Sequence, residues 1–184
     1  VDRNNVPQAM LKLHHQRMKH SASVLGFAWH DEAFVQAIQS ACARIRSDDA
    51  RLRVSLTCDG KFQTQIAPLE SLSEVLDFAI HLERTHSQNP MLRHKTTMRH
   101  TYNRALAQAK SQRLFDYIFL NEKGEVTEGA RSCIFVQLNA QWYTPPLSCG
   151  VLPSVQRAYA LNDASFNAQE RVLTLDDLRQ AQTI

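Results

Sequence analysis

A chain of 184 residues, 43% of them hydrophobic and 21% charged, has the make-up of a soluble globular protein with room for one sizeable core or two small ones. Five glycines and six prolines exclude collagen-like and linker-rich chains, and the longest apolar runs, such as 117–120, fall far short of a membrane span. The net charge of +3 arises from basic and acidic residues interspersed along the chain, which predicts a mixed surface, with neither nucleic acid nor membrane as partner.

In residues 11–27 the apolar side chains Leu11, Met18, Ala22 and Leu25 recur at helical spacing, and Gly26 suits a helix C-terminus. A second helix is expected over 31–45, where Asp31 and Glu32 occupy the dipole-favoured first turn and Phe34, Ile38, Ala41 and Ile45 share a face. Alternation at Leu52, Val54 and Leu56, then Asp59-Gly60 and a return run, predicts a β-hairpin over 51–69. The polar stretch 83–92, with Asn89-Pro90, reads as a linker and domain boundary. Beyond it come a helix over 97–110, a strand at 116–120, a turn at 122–124, a short strand reaching Thr127 and a hairpin turning at Asn139-Ala140. Two further helices are expected after Pro153 and near the end, with Ser154 and Asp176 as N-caps.

Cys42, Cys58, Cys133 and Cys149 form no C-x-x-C pair, and no secretory signal is visible, which predicts reduced thiols in a cytoplasmic setting. Eight histidines lack ligand spacing, and no metal site is expected.

The segment "EVTEGARSCIF", 125–135, carries the chemistry. Glu128 precedes a turn of small residues, and Ile134, Phe135 and Val136 read as a buried strand. Such a turn can aim successive backbone N–H groups at an anion. An acid beside it in a dry site needs a cationic partner.

The segments "LHHQRMKHSASVLGF", "HKTTMR" and "NEKGEVTEGARSCIFVQLNAQWYTPPLSCGVLPSVQR" resemble, in order and spacing, the class IV aminotransferase family, pyridoxal 5'-phosphate enzymes of fold type IV. The resemblance is greatest to the aminodeoxychorismate lyase branch. It implies an α+β fold in two domains, a small two-layer N-terminal domain and a larger barrel-like C-terminal one. With the linker at 86–92, these become residues 1–85 and 93–184. As isolated residues Arg17, Lys95 and Glu128 would read as surface side chains; the resemblance gives each a role. Lys95 matches the Schiff-base lysine of a K-T-x-x-R segment, and Glu128 the acid that pairs with the pyridinium nitrogen. Arg17 matches an arginine that reaches the cofactor phosphate. The turn after Glu128 implies phosphate contacts from the Arg131 and Ser132 N–H groups. "GVLPSVQR" implies Leu152 on the ring face and the Val155 and Gln156 N–H groups on the phosphate at a helix start.

Departures from the family pattern are Ser154 for Gly, Gln156 for Thr and Cys133 for Asn. Relative to the family, the chain begins after the first strand and the "F-E-T" segment and stops before the final strand. A fragment of a fusion with an aminodeoxychorismate synthase component is among the arrangements compatible with this. The implied activity is 4-amino-4-deoxychorismate lyase, releasing 4-aminobenzoate and pyruvate for folate synthesis, in a homodimer. A branched-chain or D-amino-acid aminotransferase is the alternative, and an inactive paralogue kept for binding or dimerisation is a third. Arg99 and Arg131 are candidates to meet a substrate carboxylate, and each reads equally well as a surface or capping arginine.

Overall fold

In a computed structural model, residues 8–46 and 49–184 are described, and the chain divides into two compact units, 1–72 and 73–184. The first unit contains helices α1 (Gln8–Leu25) and α2 (Asp31–Cys42) and strands β1 (Ala50–Leu56) and β2 (Phe62–Pro68). Gly26, at φ +73°, ends α1, and the Phe27 N–H returns to the Ala22 carbonyl at 2.8 Å, the Schellman arrangement expected of a glycine C-terminus. Asp31, in the first turn of α2, accepts from Lys19 Nζ at 2.6 Å, His15 Nε2 at 2.8 Å and Trp29 Nε1 at 2.9 Å, so one carboxylate ties the two helices together. The rings of His15, Trp29, Phe34 and Phe62 pack beside it. β1 and β2 pair antiparallel from Ala50↔Pro68 to Leu56↔Phe62, the hairpin anticipated from alternation.

The second unit holds two three-stranded sheets. In one, β4 (Asp116–Leu120) lies between β3 (Phe78–Ile80), parallel to it, and β5 (Val126–Gly129), antiparallel to it. In the other, β7 (Gln141–Thr144) lies between β6 (Val136–Leu138) and the short β8 (Gln169–Glu170). The β6–β7 turn places Asn139 and Ala140 at φ +51° and +62°, the paired left-handed residues of a type I′ hairpin. Every residue of β4 is buried, which the two-residue period of a strand explains. Ile118 and Leu120 join Val126, Ile134, Val136, Leu138 and Leu173 in one core, while Tyr117 and Phe119 join Ala105 and Ala109 of α3 (His100–Ser111) in another. The domain expected to be barrel-like is built from two sheets with a shared core.

Four sequence expectations shift. The division falls between Leu72 and Ser73, so the expected linker at 86–92 lies inside the second unit. The cause is β3, too short to show as alternation. It zips along β4, and the pairing continues through His81 N–H to Ile118 O, Thr85 N–H to Leu120 O and Ser87 to the Glu122 carboxylate. Ile134 and Phe135 precede β6 rather than belonging to it, and α3 starts at His100, not Thr97. The last helix, α5 (Leu175–Gln180), is capped by Thr174 rather than Asp176, through a capping box with Asp177, whereas Ser154 caps α4 (Val155–Asn162) as expected, its hydroxyl accepting from the Arg157 N–H.

Gly150 fixes how closely the 87–92 segment approaches the start of "GVLPSVQR". It sits at φ +86°, and a Cβ there would lie 2.7 Å from Ser87 Cα. Gly150→Ala is expected to destabilise the chain by about 2–3 kcal/mol, the left-handed strain and the backbone overlap acting together, read as a lowered urea midpoint at unchanged slope.

Candidate functional site

Glu128 stands on β5 and lines a pocket together with Thr127, Cys133, Thr144, Leu152 and Arg157. Its two oxygens are held separately: Oε1 accepts from the Tyr102 hydroxyl at 3.2 Å, and Oε2 from the Leu152 N–H at 3.0 Å. Burial pushes its pKa up from 4.5 to about 7, although the Leu152 and Tyr102 hydrogen bonds and the charges of Lys95 and Arg99 all pull it down. Desolvation outweighs the four together.

Lys95 is exposed and lies between the 3-10 turn Pro90–Arg93 and α3; it comes close enough to Glu128 for the two charges to interact. The Arg99 guanidinium donates to the Ala130 carbonyl and lies 5.4 Å from the Tyr102 ring centroid, while its Nε is buried without a hydrogen-bond partner. Arg157, buried at the start of α4, donates to the Pro145 carbonyl at 2.7 Å and pairs with Glu170, leaving its Nε likewise unpartnered.

The expected role of the turn after Glu128 requires correction. The Arg131 and Ser132 N–H groups do converge on an anion, but the anion is the chain's own Asp116. Asp116 Oδ2 accepts from Arg131 N–H and Ser132 N–H, both at 3.1 Å, and from Ser132 Oγ at 2.6 Å. Oδ1 accepts from Ala130 N–H at 3.0 Å and Tyr117 N–H at 2.8 Å. A carboxylate on an adjacent strand has taken the place the sequence pattern suggested for a phosphate. The Arg131 side chain is exposed over the Phe115 ring, 4.0 Å from its centroid, and neither Arg131 nor Ser132 lines the pocket.

Leu152 meets the pocket with its side chain and Glu128 with its N–H. Val155 and Gln156 supply the first two N–H groups of α4, positions that have no acceptor within a helix. Lys95, Arg99, Glu128, Leu152, Val155 and Gln156 thus all belong to the second unit; Arg17 lies in the first, half-buried on α1. Sequence reading missed Tyr102, Asp116 and Arg157. Asp116 carried a signal, being an acid that opens an otherwise apolar buried run. Tyr102 carried one only through its place seven residues after Lys95, on the following helix.

The two-unit α+β architecture is that of fold type IV enzymes: a solved structure from Mesorhizobium loti, described as "Putative amino-acid aminotransferase", superposes with a TM-score of 0.86 at 31% identity, covering 94% of this chain and 84% of that one. Over residues 1–184 the sequence matches the model for Amino-transferase class IV, and the chain belongs to that family. A curated relative from Schizosaccharomyces pombe named "Putative aminodeoxychorismate lyase" is 29% identical over 181 residues, 95% of this chain and 78% of that protein. A Legionella pneumophila structure described as "Putative 4-amino-4-deoxychorismate lyase" shares the fold, with a TM-score of 0.78 at 20% identity over 92% of this chain and 70% of that one.

The raised pKa of Glu128 has a signed consequence. Folded Glu128 keeps its proton up to about 7, whereas the unfolded residue releases it near 4.5, so between those values the unfolded chain binds fewer protons. The Glu128 contribution to stability therefore falls as pH rises through that window and levels off above it, by something on the order of 3 kcal/mol. Glu128→Gln, measured against the unsubstituted cofactor-free chain by urea unfolding across the window, is expected to remove this fall. Equal pH slopes for the two proteins would show that the folded residue titrates normally.

Proposed function

We propose that this chain is a pyridoxal-phosphate-dependent 4-amino-4-deoxychorismate lyase that releases 4-aminobenzoate and pyruvate, working as a cytoplasmic homodimer. The observation that carries the reading is Glu128: a half-buried acid, held at both oxygens, with the Lys95 amine close enough to feel its charge. An isolated carboxylate in such a setting drifts towards the neutral form, and a cationic ring nitrogen beside it would return it to the charged one. The donors of the second unit suit the cofactor: the Val155 and Gln156 N–H groups at the start of α4 for a phosphate, Leu152 for a ring face and Lys95 for an aldehyde. The name of the Schizosaccharomyces pombe relative favours the lyase. The exposed apolar side chains Val75, Leu82 and Met98 support association with a second copy, and four free cysteines suit a reducing compartment.

Pyridoxal phosphate, when bound, supplies an aldehyde for the substrate amine and a ring able to hold an electron pair released at the amine-bearing carbon. Glu128 keeps the ring nitrogen protonated by placing a negative charge against it. Lys95, as the free amine, takes the proton from the amine-bearing carbon. The C–O bond that joins the enolpyruvyl group to the adjacent carbon of the same ring then breaks. The carbocycle becomes aromatic, and the departing enolate gains one proton at its methylene carbon to become pyruvate. An aminotransferase would use the same lysine to deliver the proton to the cofactor instead. The aminotransferase description of the Mesorhizobium loti structure keeps that as the second reading.

Lys95→Ala is expected to abolish the near-visible absorbance of bound cofactor and all turnover, while Lys110→Ala and Lys123→Ala leave both intact. Glu128→Gln should still take up cofactor but turn over roughly 10²–10⁴-fold more slowly, since a neutral amide cannot hold the ring nitrogen protonated. Supplying 4-amino-4-deoxychorismate and, in parallel, branched-chain and D-amino acids with a keto acid decides the branch. Pyruvate and 4-aminobenzoate from the first support the lyase; keto-acid-dependent transamination without pyruvate release moves the assignment to the aminotransferases.

A further inference from the structure

We propose that Tyr102 is a positioning residue for Glu128: its hydroxyl fixes one carboxylate oxygen and stabilises the ionised acid with a donor that carries no charge of its own. This rests on the reading of Glu128 as the partner of a ring nitrogen. The geometry is that of a two-sided hold, with the phenol of α3 on Oε1 and the Leu152 N–H on Oε2. The Tyr102 ring is itself fixed. It packs edge-on against Phe119 with centroids 4.9 Å apart, and its face receives the Arg99 guanidinium at 5.4 Å.

The groups facing Glu128 divide by charge. Lys95 and Arg99, ahead of α3, are the cations whose fields reach it; Arg157 of α4 and the Cys133 thiol line the same pocket; Tyr102 and the Leu152 N–H are the neutral donors that touch it. Lys95 must act as a free amine to take a proton, and in that form its attraction for the carboxylate is gone. A neutral donor does not change when the lysine changes. Tyr102 suits the role because burial and the neighbouring Glu128 charge push its own ionisation far above its usual value, so the hydroxyl remains a donor throughout the working range.

The hydrogen bond differs in kind from the other tyrosine contact on this side of the sheet. Tyr117 Oη donates to the Gln112 amide oxygen at 2.7 Å, an uncharged acceptor. Tyr117→Phe is therefore the matched control: the same atom is deleted from a buried ring without touching the acid.

The test is the titration of Glu128 itself in the full-length chain freed of cofactor, followed by the infrared carboxyl stretch and assigned by its disappearance in Glu128→Gln. Tyr102→Phe keeps the ring and its packing, and is expected to raise the midpoint by roughly one pH unit. Tyr117→Phe is expected to leave it in place. Difluorotyrosine installed at position 102, a stronger hydrogen-bond donor on the same ring, should move the midpoint down, which gives an answer of opposite sign should Tyr102→Phe fail to fold. In the cofactor-loaded chain, Tyr102→Phe should displace the pH profile of turnover in the same direction. A midpoint unmoved by either substitution, whatever happens to the melting temperature, overturns the proposal. A moved midpoint in a chain whose cofactor uptake and turnover ignore Glu128→Gln would instead retain the Tyr102–Glu128 coupling and remove Glu128 from the chemistry.

Discussion

The buried carboxylate of Asp116 organises the second unit. It opens β4, is 1% exposed, and accepts from four backbone N–H groups and one hydroxyl, three of those N–H groups and the hydroxyl coming from the turn after β5. A buried carboxylate is tolerated only when its lone pairs are met, so the turn at 130–132 has little freedom to rearrange. Gly129 follows from this, because a Cβ there would collide with both Ser132 Oγ and the Asp116 carboxylate. The small residues of "EGARS" are thus a consequence of an internal acid, and Glu128 stands on the last turn-ward residues of the strand that this clamp holds.

A second carboxylate does comparable work on the other side of the site. Glu122 accepts from the Ser87 N–H at 2.8 Å and the Ser87 hydroxyl at 2.6 Å, which holds its pKa down to about 2 and draws the segment leading to Lys95 onto the sheet. Gly150 then lets that segment lie against the residues just before Leu152. Two acids with satisfied oxygens thereby set the positions from which Lys95 and the Leu152 N–H approach a third. Glu128 is the exception among them, with one donor on each oxygen and a pKa displaced upward, where Glu122 is displaced downward. An acid left poised near neutrality in a pocket is where function is expected, since structural acids are normally satisfied to the point of permanent ionisation.

Much of the fold was legible along the chain because its signals are local. Gly26 marked a helix end, Asn139-Ala140 a hairpin turn and Ser154 a cap, each through the conformational or hydrogen-bonding preference of one or two residues. β3 was not legible, since three residues carry no period and its pairing with β4 joins segments almost forty positions apart. The boundary moved for the same reason: polarity marked 83–92 as a linker, while strand pairing made the preceding residues part of the second unit.

At the site, the sequence alone determined the family, because Lys95, Glu128 and the "GVLPSVQR" segment keep their types and spacing however the chain packs. It also indicated that the turn after Glu128 surrounds an anion. Only the tertiary structure decided which anion, since Asp116 reaches that turn across a strand pairing and not along the chain. The tertiary structure likewise brought Tyr102 to Glu128 and left burial stronger than every neighbouring donor and cation. Residue type and spacing are properties of the chain, whereas desolvation and the choice of hydrogen-bond partner depend on everything that packs around a group, and those are set only when the second unit closes around it.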